Sequence, residues 1–259
     1  MSLSKADNSP PPGMGIRTLS LRDQAPDCEI RINRSLYDIR TIVSGKKVAD
    51  IGCGFGRLRA VVEAAGGEWT GVEPFDGPAE TVKASAEDLP FEDSSFDVVV
   101  MDAVLEHIPD VSAAFTETAR ILRPGGLFVG YVAFMECYHE ISYAHLSFKA
   151  LEHLSEKNGM KLEAVSGGSR FGIDYHLNVL LLPLPVRWLR PLVAASIRGL
   201  LKVKSAGGYC ALRFGRGQSH RESIETAKLF YRVQCLRQSN GFEFIIRKGS
   251  AGDISSRAA

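Results

Sequence analysis

The chain has 259 residues, 45% of them hydrophobic, which is enough for one sizeable core but leaves two independent domains cramped. Its 31 Lys and Arg stand against 30 Asp and Glu, so a formal net charge of +1 excludes a global field for nucleic acid and sends any electrostatic partner to local clusters. Five cysteines, widely spaced and without a C-x-x-C pair, argue against a disulfide framework or a zinc site and fit a reducing cytoplasm.

Met1 to Gly15 is polar and rich in Pro and Gly, with no apolar core behind a positive start, so it reads as a disordered arm rather than a signal peptide. From Ile30 apolar residues recur at helical spacing (Ile32, Leu36, Ile39, Ile42, Val43), and Ser44-Gly45 stops that helix before the short buried strand KKVADIG. A glycine turn, CGFG, enters a helix that Gly66 and Gly67 end, and EWTGVE is the next strand. A third short strand is expected around Val82 to Ser85. The turn-rich AEDLPFEDSS follows, and FDVVVM has the continuous apolar character of a parallel strand covered on both faces. Asp110 or Ser112 caps a helix running to Leu122, RPGG turns the chain, and LFVGYVAF is a fifth strand. Ser147 to Asn158 reads as a helix closed by Gly159, and LEAVSGG as a sixth strand. Residues 168–239 are irregular, punctuated by Pro and Gly, with two helical pieces before the last strand, FEFIIRKG.

This alternation predicts an α/β fold: a Rossmann-like, seven-stranded sheet with helices on both faces and an inserted cap between the last two strands. The expected divisions are an arm (1–15), a ligand-binding core (16–167), an inserted substrate segment (168–239), a final core strand (240–249) and a disordered tail (250–259). The longest apolar run, Val179 to Val186, contains Pro183 and Pro185 and falls far short of the ~20 residues that span a bilayer, so no transmembrane segment is expected and peripheral membrane contact stays open.

The chemistry concentrates in Asp50-Ile51-Gly52-Cys53-Gly54-Phe55-Gly56, after a strand and opening a helix. Bare glycines let backbone N–H groups approach a ligand, and Asp50 can accept from a ligand ammonium. A dinucleotide fingerprint needs glycine where Arg57 stands, so pyrophosphate binding is the weaker reading. Glu73 ends the second strand, where a carboxylate can accept both hydroxyls of a ribose. Asp88 and Leu89 follow the third strand and can read an adenine edge with a carboxylate and a backbone N–H. Asp102 to His107 leaves the fourth. For each acid taken singly a solvated loop residue is the more common explanation; their succession at strand ends is what points to a site.

VADIGCGFG, GVEP, AEDLPFEDSSFDVVV, VLEHIPD and ILRPGG, spread over Val48 to Phe134, resemble in order and spacing the motifs of the type 11 family of class I S-adenosylmethionine-dependent methyltransferases. The resemblance implies the methyltransferase form of the sheet and S-adenosyl-L-methionine as cofactor. It implies that Asp50, Gly52, Cys53, Gly54 and Gly56 surround the methionyl part, that Glu73 with Pro74 binds ribose, and that Asp88 and Leu89 bind adenine. Asp102, Ala103 and Glu106 would line the cofactor near its methyl group. The expected activity is methyl transfer to a small-molecule or glycan-type acceptor, on oxygen or nitrogen. The alternatives are a peripheral membrane lipid or quinone methyltransferase, or a non-catalytic S-adenosylmethionine-binding protein.

A sulfonium methyl is already activated, so a base is needed only where the acceptor must lose a proton. His145, standing before the helix that starts near Ser147, is the preferred candidate, with His139 and His107 behind it; hydrogen bonding within a loop explains each equally well. Glu136, Tyr138 and Tyr143 could equally shape the pocket, and the spacing of Glu136, Cys137, His139, Glu140 and His145 matches no zinc signature, so no metal is expected. Between Tyr175 and Arg221 there is no acid, yet Arg187, Arg190, Arg198, Lys202, Lys204, Arg213, Arg216 and Arg221 occur. A solvated basic face, an anionic or sugar-containing acceptor, and an anionic membrane all remain open. Aromatic interleaving is sparse (Trp188, Tyr209, Phe214), so a nucleic-acid groove is not expected. The apolar LLLPLPVRWLRPLV must pack on the core, on a second subunit of a homodimer, or on a membrane, and a lid over the pocket is the favoured reading.

Overall fold

The two most apolar runs become the centre of the sheet. KVADI forms β2 (Lys47–Ile51) and FDVVVMD forms β4 (Phe96–Asp102), buried on both faces. The computed structural model describes residues 25–32, 34–78, 80–136, 141–167 and 187–250, so the expected arm 1–15 and tail residues 251–259 lie outside it. Beside β2 and β4 run β3 (Glu68–Val72), β5 (Leu122–Ala133), β6 (Met160–Ser166), β7 (Gly241–Lys248) and an edge strand β1 (Glu29–Arg31), in the order β1-β6-β7-β5-β4-β2-β3. Every pairing is parallel except those of β7, which is antiparallel to both β5 and β6. This is the α/β sheet of seven strands that the alternation predicts, but one member differs.

Val82 to Ser85 does not form a ladder. It adds a single parallel rung, Val72 to Val82, because the chain bends back at once through the Ser85–Asp88 bridge. The seventh strand is instead β1, where a helix is expected: Glu29, Ile30 and Arg31 alternate, with Ile30 buried against Val165 of β6. Of that predicted helix only α1 (Ile39–Val43) forms, capped by Asp38. RPGG is not a turn between elements; it lies within β5, where the pairing with β4 is irregular and Gly125 takes φ +79°.

Alternating side chains of β2, β4 and β5 divide the core. Val48, Val98, Val100 and Val129 pack with Val43 of α1 and Val62 of α2 (Arg59–Ala64). On the other face Ile51, Val99, Met101 and Phe128 pack with Phe115 of α3 (Val111–Ile121) and Leu151 of α4 (Phe148–Lys157). Asp110 and Ser147 cap α3 and α4 by accepting from the N–H groups of Ala113 and Ala150. Between β6 and β7 the insert is more regular than its Pro and Gly content suggests. It holds α5 (Arg190–Cys210) and α6 (His220–Leu236), the latter opened by a Ser219–Glu222 capping box. The two pack together, α6 also meets β1, and its Val233 and Leu236 join the second core. No helix among the described residues is long and apolar enough to cross a membrane.

Arg120 of α3 ties the segment after the Val82 rung to the sheet. It donates to the carbonyls of Phe91 (2.6 Å) and Leu89 (2.8 Å) and pairs with Glu117 (2.8 Å) and Asp93 (3.0 Å). Arg120→Ala leaves two carbonyls and Glu117 without it, and should cost about 1.5–3 kcal/mol, read as a lower urea midpoint at unchanged slope. An unchanged midpoint would show that solvent replaces the guanidinium without loss.

Candidate functional site

Asp50 and Val100 are register partners at the carboxyl ends of β2 and β4, and the chain leaving β2 has to reverse into α2 at once. It does so with Gly52, Gly54 and Gly56 at φ +68°, +52° and +71°, the left-handed region that side-chain-bearing residues avoid. At Gly52 a Cβ would also meet Val104 at 2.6 Å. At Gly54 it would meet nothing within 4 Å, so here glycine serves the backbone conformation and faces open space. The turn is fastened by Gly52 and Cys53 N–H groups donating to the Val72 carbonyl (2.8 and 3.1 Å), and by Gly54 N–H donating to Glu73 Oε2 (2.9 Å).

Beside the turn opens a cleft of about 720 Å³, walled by Asp50, Gly52, Cys53, Asp102 and Tyr131 from the sheet edge, by Ser35 to Ile39 without Leu36, and by Glu243 of β7. That volume is within the roughly 300–1,000 Å³ of small-ligand sites. Glu243 holds the upper wall in place by accepting from Leu36 N–H at 2.6 Å. Arg57 is the only cation among the described lining residues, against Asp38, Asp50, Asp102 and Glu243. Burial pushes the Asp50 carboxyl up to about 6; Asp102 and Glu73 add to the rise, and the Trp69 Nε1–H bond (3.0 Å) and Arg57 oppose it. Asp102 reaches water at the cleft mouth, yet the surrounding walls strip enough solvent to raise its pKa against the pull of Arg57. Burial lifts the Tyr37 phenol as well, and holds the Cys53 thiol at about 11, so it stays protonated.

The residues singled out in the sequence do not all gather here. Asp50, Gly52, Cys53 and Asp102 line the cleft, with Gly54 and Gly56 in the turn, and Glu73 joins it through Gly54. Pro74 follows Glu73 on the surface. Ala103 takes φ +57°, strained for alanine, and donates its N–H to the Tyr131 carbonyl (3.0 Å). Asp88 is exposed, and the Leu89 N–H is already committed to Glu117 Oε2 (2.9 Å), so that pair does not offer an adenine the free donor expected of it. Glu106 is fully buried and does not line the cleft; burial raises its pKa against the pull of its own N–H and of His107, and neither carboxyl oxygen has a hydrogen-bond partner. Of the candidate histidines, the two that are described do not line the cleft: His107 Nδ1 meets the Ile141 carbonyl (2.7 Å), and His145, exposed, shares a hydrogen bond with Ser142 (3.0 Å). His139 lies outside the described residues. Glu136, by contrast, accepts from Asn240 (2.9 Å) and from the hydroxyl of cleft-lining Tyr131 (3.3 Å).

Arg57, Tyr37, Tyr131, Glu243 and Trp69 escape the sequence reading. Arg57 is visible there only as a missing glycine, and Tyr37 and Glu243 come from outside the motif segment with no local signal. No described residue of α5 or α6 lines this cleft, and residues 168–186, with the first half of the apolar run expected to form a lid, lie outside the described residues. No group of three or more potential metal ligands occurs among the described residues.

An acidic cleft with one cation, beside a left-handed glycine turn, suits a small ligand bearing both an ammonium and a carboxylate. Residues 49–130 match the type 11 family described as the methyltransferase domain. Over that stretch, residues 49–130, the chain is similar to this family. A methyltransferase of Mycobacterium sp. (strain JLS), itself uncharacterized, is 34% identical over 151 residues, covering 52% of this chain and 60% of the relative. The ubiquinone biosynthesis O-methyltransferase of Pseudomonas putida (strain GB-1) is 33% identical over 115 residues, 38% of this chain and 47% of its own length. The chain thus spans less than two thirds of the length of these curated relatives. Among solved structures, a SAM-dependent methyltransferase from Methanosarcina mazei superposes with a TM-score of 0.48 at 16% identity, covering 83% of this chain and 99% of its own.

Unfolded, Asp50 titrates near 3.8; folded, near about 6. Between those values the native state keeps a proton that the unfolded chain has released, so stability falls as pH rises through that window and stays lower above it. Asp50→Asn, whose amide oxygen can still accept from Trp69, should remove the fall: its thermal midpoint should exceed the wild type's at about pH 7.5 and converge with it near about pH 4. Parallel curves across that range would show that the carboxyl is not desolvated.

Proposed function

We propose that this chain transfers a methyl group from S-adenosyl-L-methionine to a small-molecule or glycan-type acceptor, on oxygen or nitrogen. One observation carries the reading: a left-handed glycine turn, open at Gly54, leads into a cleft whose buried Asp50 faces a single cation, Arg57, with Glu73 fastened at the next strand end. The group supplies an electrophilic methyl on sulfur, and the chain has to hold, orient and desolvate it. Ionised Asp50 and Asp102 favour the positive ammonium and sulfonium, and Arg57 favours the carboxylate. Glu73 offers Oε1, which accepts only a long bond from Phe75 N–H (3.5 Å), to the ribose hydroxyls while Oε2 serves Gly54. The Leu89 N–H, held by Glu117, is left out of the adenine contacts.

Where the acceptor carries a proton, it passes to the Tyr131 phenol oxygen as the phenol's own proton moves to Glu136, with Asn240 donating to both (2.7 and 2.9 Å). His145 and His107, candidates on sequence grounds, are then loop histidines. The O-methyltransferase relative supports an oxygen acceptor. A second reading, a lipid or quinone methyltransferase at a membrane surface, is favoured by Trp188, Leu192, Leu200 and Val203, exposed on α5 and the turn before it, beside Lys202 and Lys204.

Calorimetry with S-adenosylhomocysteine tests the cofactor, and mass spectrometry of extracts for a gain of one methylene finds the acceptor. Glu73→Ala should weaken S-adenosylhomocysteine binding by about 1.5–3 kcal/mol with the circular dichroism unchanged. A dissociation constant within about twofold of wild type would place the ribose elsewhere. Once an acceptor is known, Glu136→Gln should lower turnover about 10²-fold or more and spare cofactor affinity, while His145→Ala changes little. The reverse ranking would restore the histidine.

A further inference from the structure

The insert encloses a second space, a groove of about 860 Å³ between α5, α6 and the chain after β1, sharing no lining residue with the Asp50 cleft. α6 turns one face to it, with Ile224, Ala227, Lys228, Tyr231 and Arg232 at i, i+3, i+4, i+7 and i+8. Lys202 reaches in from α5 and Arg34 from the loop, and among the described residues no acidic side chain lines the space. Arg31 is spent on Glu29 (2.8 Å) and the Leu36 carbonyl (2.7 Å). Among the described residues Arg34, Lys202, Lys228 and Arg232 take part in no ion pair; Glu29 feels two of them, its pKa lowered first by its hydrogen bond with Arg31 and then by the charges of Arg31, Arg34 and Arg232. Lys228 and Arg232 stand four residues apart on one helix, a like-charge spacing that weakens it, above an apolar floor that includes Ile30 and Ile224. An anion between these cations would turn repulsion into charge-assisted hydrogen bonds.

We propose that this groove binds an amphipathic organic phosphate, its anionic end among Arg34, Lys202, Lys228 and Arg232 and its apolar part along Ile30, Ile224 and Tyr231. Resting on the methyltransferase reading, the groove holds the anionic end of the methyl acceptor. Chain continuity places it beside the cleft, since Arg34 lines the groove and Ser35 lines the cleft.

The test uses the full chain and dodecyl phosphate below its micellar concentration, with dodecyl maltoside as neutral control, and in parallel vesicles of phosphatidylglycerol or of phosphatidylcholine alone. Dodecyl phosphate should bind by calorimetry and the maltoside should not, with affinity falling as salt rises. Lys228→Glu with Arg232→Glu should weaken it at least about tenfold, and the neutral pair Lys228→Gln with Arg232→Gln by less, both with S-adenosylhomocysteine binding unchanged. Binding to phosphatidylglycerol vesicles alone, lost in the same variants, supports the groove and identifies its anion as a bilayer headgroup. Equal binding of the neutral amphiphile, or equal binding by wild type and both variants, overturns the proposal. Should wild type fail to bind S-adenosylhomocysteine, the methyltransferase reading falls while the dodecyl phosphate result still judges the groove.

Discussion

The reversal from β2 into α2 is the constraint on which the rest depends. Three residues of that turn sit in the left-handed region, which confines them to glycine and leaves N–H groups where side chains would otherwise crowd. Because the turn starts at the end of a central strand, it carries Asp50 on one side and Arg57 on the other into the same cleft, and Glu73 of the neighbouring strand end can clamp its middle. The sheet order decides which side chains join them: β4 beside β2 brings Asp102, β5 brings Tyr131, and antiparallel β7 runs back to present Glu243 at the same edge.

The cleft is electrostatically expensive. Burial raises the pKa of both Asp50 and Asp102, and one guanidinium offsets four lining acids only in part. A core optimised for stability alone would not gather carboxylates this way, and such departures concentrate where a charged ligand completes the balance. Ala103 adds to this with a left-handed backbone directly after β4, held by a single hydrogen bond to Tyr131.

Legibility in the sequence followed the range of the interactions. β2 and β4 were readable because apolar runs flanked by turns carry their own signal, and the helix starts near Asp110 and Ser147 because capping is local. The third strand was not, since whether Val82 extends a ladder depends on how soon Ser85 bends the chain back. Nor was β1, where Ile30, Leu36 and Ile39 fit a helical spacing, although Ile30 is buried by a partner, Val165, far along the chain. At the site the glycine motif and its acids were legible, whereas Glu243 and Tyr37 reach the cleft only through the sheet, and Glu117 takes the Leu89 N–H across 28 residues.

The strip from Ile30 to Ile39 is thin for the work its position gives it. Its first part pairs with β6 and walls the basic groove; its second, pinned by Glu243, walls the cleft. Two compartments that share one length of backbone share its fluctuations. A ligand that quieted the strip from the groove would lower the entropy cost of binding in the cleft, and reciprocity would require the cleft ligand to return the same factor to the groove. In kinetic terms, the order in which two ligands arrive would leave their joint affinity unchanged while altering which of them has to wait for the strip to settle.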